Sequence, residues 1–275
     1  MKLGFVTCVQ LGFSCMEAIY EAGGKLQVAI TLKDEKAKNK SGRVYLDEFC
    51  KSNSVDLVKI DHINDDEVID VITKYDLDWL FIIGWSQIAN KRLLDAPRSG
   101  VLGMHPTLLP KGRGRASIPW AIIKGLDETG VTCFKLDEGV DTGPILSQYK
   151  IPLTSSTNST ELYDSINNAH TNLMTSIIPQ ILNGSVSLLE QNNSEATEWT
   201  GRTPKDGELD LNGSVIIAER LVRATSKPYP GAFVMINDKK HIVWKARIAG
   251  DKPKNLCLAF NDGFLECIEL EIENV

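Results

Sequence analysis

The 275-residue chain lacks the marks of several functional classes. No apolar run approaches the roughly 18 residues that a helix needs to span a bilayer, so no membrane partner is expected. The opening residues, Met1 to Cys8, read as a short strand. They carry neither the apolar h-region nor the small-residue cleavage site of a secretory leader, and a cytoplasmic location is the expectation. The six cysteines (Cys8, Cys15, Cys50, Cys133, Cys257 and Cys267) form no CxxC and no Cys/His cluster. That argues against a metal site and for buried, reduced thiols. No GxGxxG or GxxxxGKS/T motif follows the first strand. Leu11-Gly12-Phe13 has a single glycine, which disfavours a nucleotide cofactor in that loop. Positive charge is also short: 30 Lys and Arg against 36 Asp and Glu leave a net charge of −6. A global attraction for nucleic acid is therefore absent, and a small-molecule substrate is favoured over a polyanion. One local basic cluster, Lys33, Lys36, Lys38, Lys40 and Arg43, stands against this trend and reads first as a solvated loop.

What is present is an alternation of strands and helices. Strands are expected over residues 3–7, 26–32, 56–60 and 78–84, and helices over 14–22, 44–53 and 64–74, with Asn64 as the N-cap of the last. A loop is expected over 33–43. Such βαβ units build an α/β fold with a mostly parallel, Rossmann-like sheet and helices on both faces. Further strands are expected over 129–136 and 145–149, and a long amphipathic helix over 159–182. A polar stretch over 194–205 reads as a linker. Beyond it come a helix over 214–225 capped by Ser214 and short strands at 233–236, 241–248, 256–259 and 264–270. That pattern is a small β-rich C-terminal domain, and the expected domains are 1–193, the linker 194–205 and 206–275.

Ligands of open parallel sheets bind outside the carboxyl ends of the strands. Three segments fall there: Trp85-Ser86-Gln87-Ile88, the stretch His105-Pro106-Thr107-Leu108-Leu109-Pro110-Lys111-Gly112-Arg113-Gly114, and Gly139-Val140-Asp141-Thr142-Gly143. Pro106 and Pro110 restrict φ in the segment after His105, and the glycines permit close backbone approach. A histidine on one loop and an acid between two glycines on another make a histidine–carboxylate pair suited to proton transfer near neutral pH.

Those residues, with Thr129-Gly130-Val131-Thr132, the run Arg202 to Gly207 and the run Arg223 to Ala232, resemble the family of 10-formyltetrahydrofolate-dependent formyltransferases. Its members formylate methionyl-tRNA, glycinamide ribonucleotide or nucleotide-linked amino sugars. The resemblance runs through nearly the whole chain in order. It implies that His105 and Asp141 are the catalytic pair. It further implies that 10-formyltetrahydrofolate lies between Trp85, Ser86, Gln87 and Ile88 and the loop carrying Leu136, Glu138, Gly139 and Val140. Arg113, in the turn of residues 112–115, would border the amine substrate, and Lys227 and Tyr229 would meet a nucleotide or sugar or else dock the small domain.

One position departs from the family pattern. Where its members have an asparagine two residues before the histidine, this chain has Gly103. Loss of one oxyanion donor costs on the order of 10²–10³ in rate. Gln87 or Ser86 could substitute, a backbone N–H freed by Gly103 could substitute, or the chain could have left formyl transfer; a substitute donor is the favoured reading. The short C-terminal part and the acidic charge point to a nucleotide-linked amino sugar as the amine. A methionyl-tRNA formyltransferase and a non-catalytic folate- or nucleotide-sugar-binding homologue remain as alternatives. A homodimer through the small domain is compatible with the sequence.

Overall fold

The computed structural model describes residues 1–37, 42–250 and 255–274. Lys38 and Lys40 of the basic cluster lie outside the described residues. By contact density the chain divides into two compact units interleaved in sequence. One holds Met1–Arg113, Gly130–Lys150 and Asn167–Thr197, and the other Gly114–Thr129, Ile151–Ile166 and Glu198–Val275.

The first unit begins β1 (Leu3–Val6), α1 (Gln10–Glu21), β2 (Leu26–Leu32), α2 (Asp47–Asn53), β3 (Asp56–Ile60), α3 (Asp66–Tyr75), β4 (Trp79–Ile82) and β5 (Gly100–His105). Further along the chain come α4 (Ser117–Ile123), which belongs to the second unit, and β6 (Glu128–Lys135), β7 (Ile145–Pro152) and α5 (Ser159–Leu182), each divided between the two. The seven strands form one sheet in the order β3-β2-β1-β4-β5-β6-β7. β1 pairs in parallel with β2 and β4, and so do β2 with β3 and β4 with β5. β6 runs antiparallel to β5 and sets Thr132 opposite His105. The order reverses at β1, whose neighbours β2 and β4 lead the chain in opposite directions, so the carboxyl ends of β1, β4 and β5 flank a ligand crevice. The strands are nearly continuous apolar runs because helices cover the parallel part: Leu3, Phe5, Val6, Val28, Ile30 and Leu80 are fully buried.

Helix starts differ most from expectation. α1 begins at Gln10, four residues before the expected 14, because Gln10 N donates to Gly42 O at 2.8 Å across a long loop. No local capping side chain marks that start. α3 begins at Asp66 with Asp65 at the cap position, so Asn64 is not its N-cap. The Asn64 side chain instead donates to Ile88 O at 2.9 Å and accepts from Asn90 N at 2.9 Å. Within the expected loop 33–43, residues Asp34–Ala37 form one helical turn.

The second unit carries α6 (Val215–Ala224) and the strands β8 (Ala232–Ile236), β9 (Lys239–Ile248), β10 (Cys257–Phe260) and β11 (Gly263–Asn274). These make an antiparallel sheet of order β8-β9-β11-β10. Ser214 caps α6 as expected, accepting from Ile216 N at 3.3 Å. Val215, Ala218 and Val222 of that helix pack with Val234, Val243 and Leu265 of the sheet in a separate core. Among the described residues no helix is long and apolar enough to cross a membrane.

Candidate active site

His105 is the last residue of β5 rather than a loop residue, so the strand ladder fixes its backbone and the imidazole is 8 % exposed. Both ring nitrogens are engaged. Nε2 lies 2.8 Å from Gly112 O, and Nδ1 lies 3.5 Å from the Asp141 carboxylate. A carbonyl only accepts, so the proton of that contact sits on Nε2. A neutral ring then presents a bare Nδ1 to Asp141.

The segment after His105 is tied from several directions. Thr132 Oγ1 donates to Thr107 O at 2.7 Å and accepts from Leu109 N at 3.1 Å. Gln148 Nε2 donates to Leu109 O at 2.8 Å, Gly112 N donates to Thr197 Oγ1 at 2.8 Å, and Arg113 N donates to Thr197 O at 2.9 Å. Thr197 thus serves the site from within the stretch that reads as a linker.

Asp141 is placed by a compact turn. Asp137 Oδ1 accepts from Gly139 N at 3.1 Å and from Thr142 Oγ1 at 2.7 Å. Asp141 itself sits at φ 55°, in the left-handed region that costs a non-glycine residue strain. Gly143 is required by close approach, since a Cβ there would lie 1.8 Å from Lys135 O. Gln191 Nε2 donates to Asp141 O at 2.9 Å and to Gly143 O at 2.7 Å.

Arg113 is 6 % exposed, and its guanidinium turns away from solvent. Nε and Nη2 reach Gln191 Oε1 at 3.2 and 2.7 Å, and Nη2 also reaches Asn193 Oδ1 at 2.8 Å. The structure therefore gives Arg113 a bracing place beneath the loops, not the open position expected of a group bordering the amine. Gln148, Gln191 and Thr197 carried no signal in the sequence, because each acts through side-chain bonds to segments far away in the chain.

The two expected folate loops approach each other. Trp85 and Leu136 pack against the same apolar cluster, and Lys91 Nζ lies 3.8 Å from Glu138 Oε2. Ile88 is 80 % exposed and Val140 64 % exposed, two large apolar side chains left uncovered on loops that flank one crevice. Among the described residues the buried Trp85 indole N–H has no hydrogen-bond partner. The Gln87 carboxamide is committed, accepting from Ile63 N at 2.8 Å and donating to Asp61 O at 3.2 Å, so its side chain does not stand in for the missing asparagine. At Gly103 a Cβ would meet Leu136 Cδ2 at 2.7 Å, so Leu136 fills the space a side chain there would take.

Lys227 and Tyr229 belong to the second unit. Lys227 Nζ lies 5.4 Å from the centroid of the Trp244 ring, and burial, reinforced by Tyr163, pushes the Tyr229 phenol up to about 12. In the basic cluster, Lys33 pairs with Asp61 and Arg43 with Asp34, so the positive charge of these two is locally matched.

Comparison with known proteins agrees with this architecture. The formyl transferase pattern matches residues 18–178 and the formyl transferase C-terminal domain pattern residues 202–273. A methionyl-tRNA formyltransferase of Agathobacter rectalis is 30% identical over 250 residues, covering 90% of this chain and 80% of that protein. The bifunctional polymyxin resistance protein ArnA of Wigglesworthia glossinidia brevipalpis is 29% identical over 275 residues, 99% of this chain but 42% of that protein. Among solved structures, an N-formyltransferase of Helicobacter canadensis in complex with folinic acid and dTDP-3-aminofucose superposes with a TM-score of 0.74 at 19% identity, covering 96% of this chain and 97% of that one. With both domain patterns matched in order and the histidine–aspartate pair assembled at the carboxyl end of β5, the chain belongs to the formyl transferase family.

Proposed function

We propose that this formyltransferase moves the formyl group of 10-formyltetrahydrofolate to the amine of a nucleotide-linked amino sugar. The observation that carries the reading is the His105–Asp141 pair at 3.5 Å, with Nε2 anchored on Gly112 O and Nδ1 left as the basic position. The folate supplies an activated formyl carbon; the chain's own residues handle position and protons. The exposed Ile88 and Val140 fit the flat face of a pterin, and the unpartnered Trp85 N–H is a donor in the same region. As the amine adds to the formyl carbon, His105 Nδ1 takes its proton and Asp141 stabilises the imidazolium that results; as the bond from that carbon to the folate nitrogen breaks, the imidazolium returns the proton to the nitrogen and tetrahydrofolate leaves. With Leu136 over Gly103, Gly103 paired on both sides within the sheet and Gln87 committed elsewhere, a group other than these meets the developing negative charge.

The net charge of −6 and the paired state of Lys33 and Arg43 support a small nucleotide-linked amine over tRNA. Structural likeness to the Helicobacter canadensis enzyme supports the same choice. The 30% identity to a methionyl-tRNA formyltransferase favours the second reading, in which the amine is that of methionyl-tRNA. An assay of tetrahydrofolate release with dTDP-3-aminofucose, dTDP- and UDP-linked 4-amino sugars and methionyl-tRNA separates the two. Release with an amino sugar, lost in His105→Ala and Asp141→Ala, is expected. Release with methionyl-tRNA alone overturns the sugar assignment, and folate binding without release for any amine supports a non-catalytic homologue.

A further inference from the structure

We propose that Gln191 is the positioning residue of the His105–Asp141 pair, oriented for that task by the buried Arg113; the inference rests on the pair being the catalytic one. Chemistry allows the Gln191 carboxamide a single orientation. Arg113 has only donors to offer, so Oε1 faces Nε and Nη2, at 3.2 and 2.7 Å. The carbonyls of Asp141 and Gly143 only accept, so Nε2 faces them, at 2.9 and 2.7 Å. A donor-only group on one side and two acceptor-only groups on the other lock the amide against rotation.

The consequence reaches the carboxylate. Asp141 is held at φ 55°, a conformation a non-glycine residue keeps only under external restraint, and Gln191 grips the carbonyl of that very residue. The same Arg113 follows Gly112, whose carbonyl receives His105 Nε2–H. One bracket, Gly112-Arg113-Gln191, therefore ties the loop that anchors the imidazole to the loop that carries its acid. Gln191 is 50 residues from Asp141 and 78 from Arg113 in sequence, so no local pattern announces it.

A bracing role for stability alone and a positioning role differ in what they predict for Gln191→Glu. Its carboxylate pairs with buried Arg113, which favours folding, but turns an acceptor toward two carbonyls and pushes the Asp141 turn away. We expect Gln191→Glu to melt at or above the wild-type temperature. At fixed pH, the Nδ1 signal of His105 in ¹⁵N-labelled protein, assigned by its loss in His105→Ala, moves in the same sense as in Asp141→Asn. Gln191→Met, of similar volume and without the donors, moves it likewise. With any amine that turns over, kcat falls about tenfold or more while the KM for the amine changes less than threefold, since small misplacements cost rate steeply. If Asp141→Asn moves the Nδ1 signal and neither Gln191 variant does, Gln191 is not the positioning residue. If Asp141→Asn leaves the signal unmoved, the pair itself is wrong.

Discussion

The segments that leave β4 and β5 start side by side at the carboxyl edge of one sheet, yet they are built oppositely. From His105 to Arg113, the ring nitrogens of His105 meet Gly112 O and Asp141, the backbone is held by Thr132, Gln148 and Thr197, and the Arg113 guanidinium by Gln191. From Trp85 to Ile88, although Gln87 and the Ile88 carbonyl are tied, and at Val140 on the other loop, the protein leaves apolar surface bare and, among the described residues, an indole N–H without a partner. Under the proposed function, the side that handles protons is already held in place, whereas the side that would take the folate still has apolar area to cover. Catalytic geometry gains from being fixed in advance, because reorganisation during the reaction raises the barrier. A binding face gains from uncovered apolar area, which is removed from water when the ligand enters.

Breaking the rigid side gives the largest effect. His105→Ala and Asp141→Asn should each lower kcat on the order of 10²–10⁴-fold, read as tetrahydrofolate release with whichever amine turns over. Next comes the buried face of α1. Burial pushes the Cys15 thiol from 9.0 up to about 12. Below pH 9 the thiol is protonated in folded and unfolded chains, and its contribution to stability is whole. Between pH 9 and 12 only the unfolded chain releases the proton, so unfolding becomes easier by up to about 1.4 kcal/mol per pH unit. Urea titrations across this range should show that decline, and Cys15→Ala should flatten it.

Smaller effects sharpen the boundary between the two sides. Gly103→Asn forces its side chain onto Leu136 and should destabilise by about 1–3 kcal/mol in urea, with Leu136→Ala relieving part of the loss. Ile88→Asp and Val140→Asp should each weaken binding of folinic acid about tenfold in a fluorescence titration while leaving the melting temperature near wild type. Equal losses from Ile88→Asp in melting temperature and in binding would erase the distinction between the loops. The exposed Lys91–Glu138 pair is the weakest link, and Lys91→Ala should change folate affinity less than about threefold.

Much of this was legible in the residues. The run of β-branched and aliphatic residues at 26–32 marks β2 to the residue, and Ser214 before an apolar helix marks the start of α6. His105 and Asp141 stood out by their glycine- and proline-bearing surroundings. Other features were hidden. The start of α1 depends on Gly42, 32 positions away, and Asn64 was drawn from its expected capping role by Ile88 and Asn90. Arg113 reads as an open cation because charge in a glycine-rich turn suggests exposure, yet Gln191 and Asn193 were waiting for it in a stretch with no periodicity at all.

By itself the amino-acid order determined the alternation of strands and helices, the family to which the chain belongs and the two residue types of the proton-handling pair. Periodicity, turn chemistry and motif spacing are local, and local preference is written in consecutive residues. Only the tertiary structure decided which nitrogen of His105 faces the acid, that Arg113 points inward, that Leu136 occupies the room beside Gly103, and that Gln191 grips the Asp141 turn. Apart from the nearby His105–Gly112 contact, these are set by contacts between residues that lie from about 30 to 80 positions apart in the chain, and they exist only once the sheet has brought those segments together.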